Sequence, residues 1–200
     1  MVESSSLQLI SGRLERGEID SARYLEELTR FVASAIGCSR AGLRLFVDTP
    51  DGRVLRTVAM YDATLNQMIS VADIFDVEVS LYFEQLLHDG SVLISDARTD
   101  PSTAGAMRDY VRDANVTSLM EMSFSVNGVL FGTFSCEQTG PSIDWTQRQL
   151  QSLRKVASRA SLTLMHLVTA SVDTAPGALW ETSTPNRLAT MPMPLDAISK

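Results

Sequence analysis

The sequence has 200 residues, 44% of them apolar and 20% charged, a composition typical of a globular protein with a substantial hydrophobic core. Its 24 acidic and 17 basic side chains give a formal net charge of −7, and Lys and Arg form no cluster of the kind that binds phosphate backbones or anionic lipids. We therefore expect one main domain with extensions, and neither nucleic acid nor a membrane as its partner.

The two cysteines, Cys38 and Cys136, are too few for a disulfide framework and lie in no metal-ligand spacing. The first residues lack the basic and apolar segments of a signal peptide, and no run of about 18 apolar residues predicts a membrane-spanning helix. These features favour a cytoplasmic protein with reduced thiols, and they predict no metal site.

The chain begins with two helical patterns of unequal strength. A weak apolar stripe runs through residues 7–14 and is interrupted by Gly17. A stronger stripe follows, with apolar positions at steps of three and four up to Gly37, a residue that suits a left-handed C-cap. We expect a helical extension over residues 1–19 and an amphipathic helix over 20–36.

The middle of the chain changes to a period of two. Residues 41–47 and 54–61 are apolar, β-branched runs separated by turn residues, which predicts a β-hairpin. Residues 62–81 have no clear period, and we expect a loop with a short helix there. A helix over 81–87 and a short buried strand over 92–95 are predicted next.

The last third adds a helix over 104–114, a second hairpin, and a long helix over 145–168 with an apolar seam of heptad type. Residues 171–200 are rich in Pro, Ser and Thr and are expected to be a disordered tail. Helices and strands alternate too irregularly for a doubly wound parallel sheet. The order predicts an α+β domain over residues 20–170, with an antiparallel sheet between terminal and crossover helices.

The second hairpin is the segment most informative about function. Asn127-Gly128 predicts a two-residue type I′ turn, so that positions summing to 255 face each other. Glu121 then faces Phe134, on a sheet side that also carries Ser123, Cys136 and Gln138. The opposite side is more apolar and suits the terminal helices.

A carboxylate in the middle of a sheet is costly unless it is hydrogen-bonded or solvated. One interpretation is that Glu121 lines a small-molecule pocket, closed by Tyr82, Phe83 and Tyr110 from the crossover elements. The alternative is that Glu121 bonds backbone groups of the crossover loop or meets water. Asp96 is also a candidate ligand residue, although a strand-end Asp before an Asp-Pro pair is equally typical of turn and cap chemistry.

The sequence offers little for catalysis. Neither His88 nor His166 has a second metal ligand three or four residues away, and the common nucleophile and phosphate-loop motifs are missing. Cys136 lies in mid-strand without a neighbouring cation or helix N-terminus to activate its thiol. We therefore expect no enzymatic activity and no catalytic residues.

Several short motifs, in the same order along the chain, resemble the GAF domain, a sensory module of bacterial signalling proteins. The resemblance covers residues 24–167. In chain order its motifs are Tyr82-Phe83-Glu84, the strand and loop from Val92 to Pro101, Tyr110-Val111-Arg112, Ser118 to Phe124, Asn127-Gly128-x-Leu130-x-Gly132, Glu137-Gln138-Thr139-Gly140 and Asp144-Trp145-Thr146.

The resemblance implies an antiparallel sheet of five or six strands, with the first and last helices on one face and a ligand cavity under the crossover helices on the other. GAF domains bind cyclic nucleotides, tetrapyrroles, haem, amino acids or 2-oxo acids, or no detectable ligand, so the resemblance leaves the cofactor unknown. They commonly dimerise through their terminal helices. We therefore expect a homodimer through helices 20–36 and 145–168, and a signalling output partner.

The sequence departs from several branches of that family. Glu121-Met122-Ser123 stands where many members have Asp-Val-Pro, and the signature of the cyclic-nucleotide phosphodiesterase branch is missing. No cysteine lies between Cys38 and Cys136, in the crossover region where the chromophore-bearing and methionine sulfoxide reductase branches carry theirs.

Three functions are left open. The first is a non-catalytic sensor that binds a small molecule and signals through its terminal helices. The second is a ligand-free dimerisation or protein-interaction module whose cavity is filled by its own side chains. The third, a redox enzyme using Cys136, is the least favoured. A surplus apolar face at Leu162, Met165 and Val168 favours a dimer, unless it packs on residues 7–14.

Overall fold

The structure is a computed structural model that describes residues 2–50, 52–75 and 80–174. Within these residues there are five α-helices and seven β-strands. The helices are α1 (Val2–Glu15), α2 (Ser21–Ile36), α3 (Ser80–His88), α4 (Ala106–Asp113) and α5 (Gln147–Thr174). The strands are β1 (Arg40–Thr49), β2 (Gly52–Asp62), β3 (Gln67–Met68), β4 (Ile74–Phe75), β5 (Ser91–Ile94), β6 (Val116–Val126) and β7 (Val129–Thr139).

The strands form one antiparallel sheet in the order β3-β2-β1-β7-β6-β5, and β4 pairs with β2. The predicted α+β class is confirmed, with seven strands instead of the five or six expected. The difference comes from the described part of segment 62–81, which contains β3 and β4; residues 76–79 of the segment, where the predicted short helix could also fall, lie outside the described residues. Both are only two residues long and pair with β2, which covers an otherwise open edge of the sheet.

The helix and turn signals of the sequence act as expected. The Asp20 side chain accepts a hydrogen bond from the Arg23 backbone N–H at 2.8 Å and begins α2, and Gly37 ends it at φ 75°. Asn127 and Gly128 have φ of 52° and 78°, as a type I′ turn requires. The final helix extends past its predicted end to Thr174. Of the predicted tail, residues 175–200 lie outside the described residues.

The sheet separates two hydrophobic cores. On one face, called the helix-side face, α2 and α5 cover the sheet and α1 packs on both helices. Its core includes Leu43, Met120 and Phe134 from the strands, and Leu28 and Leu153 from the helices. On the other face, called the crossover-side face, α3 and α4 cover the sheet, and Tyr82, Phe83, Met107 and Tyr110 are among their contributions.

The register of the second hairpin differs from the prediction. Ser125 pairs with Leu130 as expected, but a bulge follows, so that Phe124 pairs with Gly132, Met122 with Phe134 and Glu121 with Ser135. A bulge inserts one residue and moves later partners to the other face. Phe134 and Cys136 therefore lie on the helix-side face, beside Met120, and the prediction that they share a face with Glu121 is wrong.

Gly132 lies at a close approach of β7 to β1. A Cβ built at this position would lie 2.0 Å from the Arg44 carbonyl oxygen of the neighbouring strand, closer than any side chain can tolerate. The close approach of β1 and β7 therefore depends on glycine at position 132.

None of the helices in the described ranges is long and apolar enough to cross a membrane.

Candidate functional site

The crossover-side core contains a buried arginine that joins four other elements. Arg44 lies on β1 between the helix-side residues Leu43 and Leu45, so strand alternation points its side chain to the opposite face. Its exposed fraction is 0%. An arginine this deeply buried is costly unless it is paired and hydrogen-bonded.

Each of the five N–H donors of Arg44 has an acceptor. Nε donates to Thr57 Oγ1 at 3.2 Å, and Nη1 donates to the Glu121 carboxylate and to Ser135 Oγ at 2.8 Å. Nη2 donates to the Tyr110 hydroxyl at 2.7 Å and to Glu137 Oε1 at 2.8 Å. We call these six residues the Arg44 cluster. It connects β1, β2, β6, β7 and α4.

The carboxylates of the cluster are as buried as the arginine. Glu121 and Glu137 both have an exposed fraction of 0%. The Tyr110 hydroxyl donates to Glu137 Oε1 at 2.5 Å, and the Tyr110 ring lies 5.1 Å from the Arg44 guanidinium carbon, within the range of a cation–π contact. Burial opposes the charge of Arg44, but Tyr110, Glu121 and Glu137 together raise its pKa well above the ordinary value.

Several buried polar atoms in this core have no hydrogen-bond partner in the part of the chain that the structure describes. They are one oxygen of each carboxylate, Glu121 Oε2 and Glu137 Oε2, together with Thr133 Oγ1 and the Tyr82 hydroxyl. The Tyr82 hydroxyl is close enough to the Glu121 carboxylate to interact with it electrostatically, although it makes no hydrogen bond of standard geometry. Burial and the nearby Glu121 raise the pKa of Tyr82 well above its ordinary value.

A family model identifies the family of this chain. The model of the GAF domain matches residues 20–164, which is most of the chain and includes both sheet faces. The chain belongs to the GAF domain family.

Solved structures of low sequence identity share the fold of this GAF domain. The phycocyanobilin-bound GAF domain of a cyanobacterial phytochrome has a TM-score of 0.64 and 15% identity, over 87% of this chain and 98% of that one. The blue-light absorbing form of the Thermosynechococcus elongatus PixJ GAF domain has a TM-score of 0.58 and 17% identity, over 88% and 95%.

The chromophore-binding domain of a Stigmatella aurantiaca bacteriophytochrome has a TM-score of 0.59 and 14% identity, over 82% of this chain and 60% of that one. At these identities the similarity concerns the fold. No curated protein sequence matches the chain.

Four of the predicted site residues of this GAF domain come together on the crossover-side face. Glu121 lies on that face, and Tyr82, Phe83 and Tyr110 are buried against it from α3 and α4, as the sequence predicts. Ser123 lies at the margin, where its hydroxyl donates to the Gly90 carbonyl at 3.0 Å. Whether these residues bind a ligand stays a prediction.

The remaining predicted residues lie elsewhere. Phe134 and Cys136 belong to the helix-side core. Gln138 Oε1 accepts from the Ser39 backbone N–H at 3.3 Å, at the start of β1. The exposed Asp96 caps its own loop, where it accepts hydrogen bonds from the Arg98 backbone N–H and the Thr99 hydroxyl. The shifted strand register explains the positions of Phe134, Cys136 and Gln138. Turn chemistry explains the position of Asp96.

Sequence reasoning missed Arg44 and Glu137, the main partners of Glu121 and Tyr110. Arg44 is a single charge inside an apolar strand pattern, at a position where alternation directs it inward. That signal was available in residues 41–47. Its acceptors, however, are separated from it by as many as 93 positions along the chain, and no local pattern identifies them.

Neither cysteine of this GAF domain lies on the crossover-side face. Cys136 is fully buried in the helix-side core, and Cys38 lies there as well. Burial and the neighbouring Cys38 raise the pKa of the Cys136 thiol well above its ordinary value, which keeps it protonated. Among the described residues no group of His, Cys, Asp and Glu is placed to hold a metal ion.

Proposed function

We propose that this GAF domain is a non-catalytic cytoplasmic sensor, which binds a small molecule between its crossover-side face and helices α3 and α4. The observation that carries the proposal is the set of fully buried atoms without partners around Glu121 and Tyr82. Leaving a buried polar atom unpaired costs about 1–3 kcal/mol. Native proteins keep few such atoms, and they often mark functional sites.

The fold neighbours add support of a coarser kind. Two of them are named as phycocyanobilin-bound and phycoerythrobilin-bound GAF domains, so a ligand-binding role on this fold has precedent. A cysteine-linked bilin is disfavoured here because both cysteines of the chain lie in the helix-side core. A different small molecule suits this chain better.

The absence of catalysis belongs to the same proposal. Cys136 has an exposed fraction of 0% and a raised thiol pKa, and a nucleophilic cysteine needs the opposite conditions. Turnover of free methionine sulfoxide that is lost in Cys136→Ser would overturn this part of the proposal.

Native mass spectrometry of the protein purified from its own host tests the ligand. We expect a retained small molecule in the unmodified protein and its loss in Tyr82→Phe, which removes a hydroxyl that has no partner. A protein that carries no added mass, and whose stability no small molecule in a metabolite library raises, contradicts a sensory site.

Signalling is proposed to run through a homodimer of the terminal helices to an output partner. Leu162 on α5, one of the two helices of the expected interface, is 59% exposed, and association through that helix would bury it. Leu162→Glu should yield monomers in light scattering while circular dichroism stays unchanged. Leu87→Glu, at a leucine of α3 that is 46% exposed, is the matched control and should leave the mass unaltered.

A second candidate, a ligand-free interaction module, is favoured by the saturation of Arg44. All five of its donors are satisfied within the protein, so this part of the crossover-side core is filled by the chain's own side chains. In that case Tyr82→Phe should slightly stabilise the protein, no retained mass should be detected, and the dimer should still form.

A further inference from the structure

The Arg44 cluster has more hydrogen-bond acceptors than donors. A guanidinium has five N–H donors and no acceptor, and the five donors of Arg44 are all engaged. Arg44 therefore has no donor left for an incoming anion. A carboxylate or phosphate ligand would find the one buried cation of the cluster already occupied.

The acceptors of the cluster, in contrast to its donors, are not all hydrogen-bonded. Glu121 Oε2 and Glu137 Oε2 have no hydrogen-bond partner among the described residues, although both are fully buried. Glu137 Oε2 has an ion-pair contact with Arg40 Nη1 at 4.0 Å. Arg40 itself is shared with Asp62 and the Ala114 carbonyl. Glu121 Oε2 is thus the carboxylate oxygen with the least compensation.

The formal charge of the cluster agrees with this count. One guanidinium and two carboxylates sum to 1 − 2 = −1. In a buried site with little water, such an excess repels anions and attracts cations.

The surroundings of Glu121 suit the body of such a cation. The Tyr82 hydroxyl, which has no partner of its own, approaches the same carboxylate. The rings of Tyr82 and Phe83 meet edge to face with centroids 6.1 Å apart, and Phe46 meets Phe83 at 6.0 Å. Aromatic rings attract flat apolar groups and the faces of organic cations.

We propose that the ligand of this site is an organic cation, with an ammonium or amidinium group on a flat apolar body, that donates to Glu121 Oε2 and the Tyr82 hydroxyl oxygen. This inference rests on the proposed sensory function and names the chemical class of its ligand. The Tyr82 hydroxyl can accept from the cation and donate to Glu121 at the same time.

Three probes of nearly equal shape and different charge test the proposal: benzamidine, benzamide and benzoate, measured by isothermal titration calorimetry. We expect benzamidine to bind most tightly and benzoate least. Loss of a hydrogen bond to a charged group weakens binding about tenfold or more, so Glu121→Gln should weaken benzamidine binding by at least about that factor. Tyr82→Phe should weaken it as well, and this variant keeps the Arg44 cluster intact in case Glu121→Gln fails to fold.

Glu84→Gln is the matched control. Glu84 is an exposed residue of α3 that lines an open surface groove of about 550 Å³ together with Leu81 and Leu87, so the variant makes the same chemical change outside the site. Benzamidine binding that falls in Glu84→Gln and persists in Glu121→Gln means that the probe occupies the groove, and this result overturns the proposal.

Two outcomes separate the ligand class from the function. Tighter binding of benzoate than of benzamidine, or a retained native ligand that is an anion, overturns the cation while leaving the sensor in place. If no probe binds and native mass spectrometry detects no retained molecule, both proposals fail. A retained compound with a basic nitrogen, released by Glu121→Gln, supports both.

Discussion

The two faces of the sheet are built from the same strands but follow different rules. On β6, Met120 and Met122 enter the helix-side core among Phe134, Leu153 and other apolar groups. Glu121, between them, enters the crossover-side core and pairs with Arg44. One face thus holds mainly apolar residues, for which volume matters most. The other holds residues that need particular partners at particular distances.

The difference shows how a fold can keep stability and recognition apart. An apolar core tolerates exchanges of similar volume because dispersion and burial have no direction. A buried ionic cluster gives little net stability as a whole, yet removing one member leaves an uncompensated charge. The helix-side face should therefore be robust to substitution and the crossover-side face sensitive. Four measurements test this contrast.

The largest effect is expected from Arg44→Met. It leaves Glu121 and Glu137 without their common cation in a buried environment, and we expect the free energy of unfolding to fall by about 3–5 kcal/mol. Urea denaturation followed by circular dichroism measures the loss. Adding Glu121→Met to the same chain should recover part of it, because fewer charges stay unpaired. A loss below about 1 kcal/mol in the single variant would show that the cluster behaves like a surface ion pair.

Adjacent positions on β6 give the sharpest comparison. Met120→Leu keeps volume on the helix-side face and should cost less than about 1.5 kcal/mol. Glu121→Gln removes one charge from the Arg44 cluster and should cost about 1.5–3 kcal/mol. Unfolding of both variants by urea at the same pH provides the test. Equal costs at the two positions would contradict the contrast between the faces.

A pH titration compared between variants separates the crossover-side tyrosines from Tyr24 and Cys136 on the helix-side face, whose pKa values burial also raises. Burial, with the nearby carboxylates, raises the pKa of Tyr82 and Tyr110 above their ordinary value of about 10. Their stabilising contribution is therefore complete below pH about 10 and is lost as the pH rises towards the folded-state values. Above pH 10, each tyrosine should lower the free energy of unfolding by up to about 1.4 kcal/mol per pH unit.

Urea unfolding between pH 8 and pH 11 measures that slope. Tyr82→Phe should reduce it with little change at neutral pH, since the hydroxyl lacks a partner. Tyr110→Phe should reduce it as well, but it also removes hydrogen bonds to Arg44 and Glu137. A slope that both variants leave unchanged would locate the alkaline transition elsewhere.

The smallest effect is expected from Cys136→Ala. The thiol points to the helix-side face, away from the Arg44 cluster that its neighbours Ser135 and Glu137 join, so ligand retention and oligomeric state should not change. Stability should fall by about 1 kcal/mol for the lost packing. Loss of a bound molecule in this variant would contradict the assignment of the two faces.

The sequence predicted most of the elements because their signals are local. Asp20 and Gly37 bound α2, and Asn127-Gly128 defines the turn between β6 and β7. The side of the sheet on which Glu121 lies was also predictable, since Met120 and Met122 beside it identify the apolar face.

The positions of Phe134 and Cys136 were not predictable from the turn alone. The pairing rule holds at Ser125 and fails from Phe124 onward because a bulge shifts it, and no residue of the turn encodes that bulge. The bulge lies next to Gly132, a position that the Arg44 carbonyl of β1 restricts to glycine. Arg44 and Glu137 were missed for a related reason, since their pairing depends on strand order.

Arg44 also gives the domain a mechanical property. A guanidinium is a rigid plane, and this one connects the Tyr110 hydroxyl of α4 to side chains on β6 and β7. A displacement of α4 that breaks the hydrogen bond between Arg44 Nη2 and the Tyr110 hydroxyl frees a buried donor. The carboxylate oxygens Glu121 Oε2 and Glu137 Oε2, which lack hydrogen-bond partners among the described residues, offer it a new acceptor. The position of α4 should therefore change in a discrete step between two bonded arrangements. Since α5 packs on the opposite face of β6, such a step in α4 has a direct mechanical route to the terminal helices.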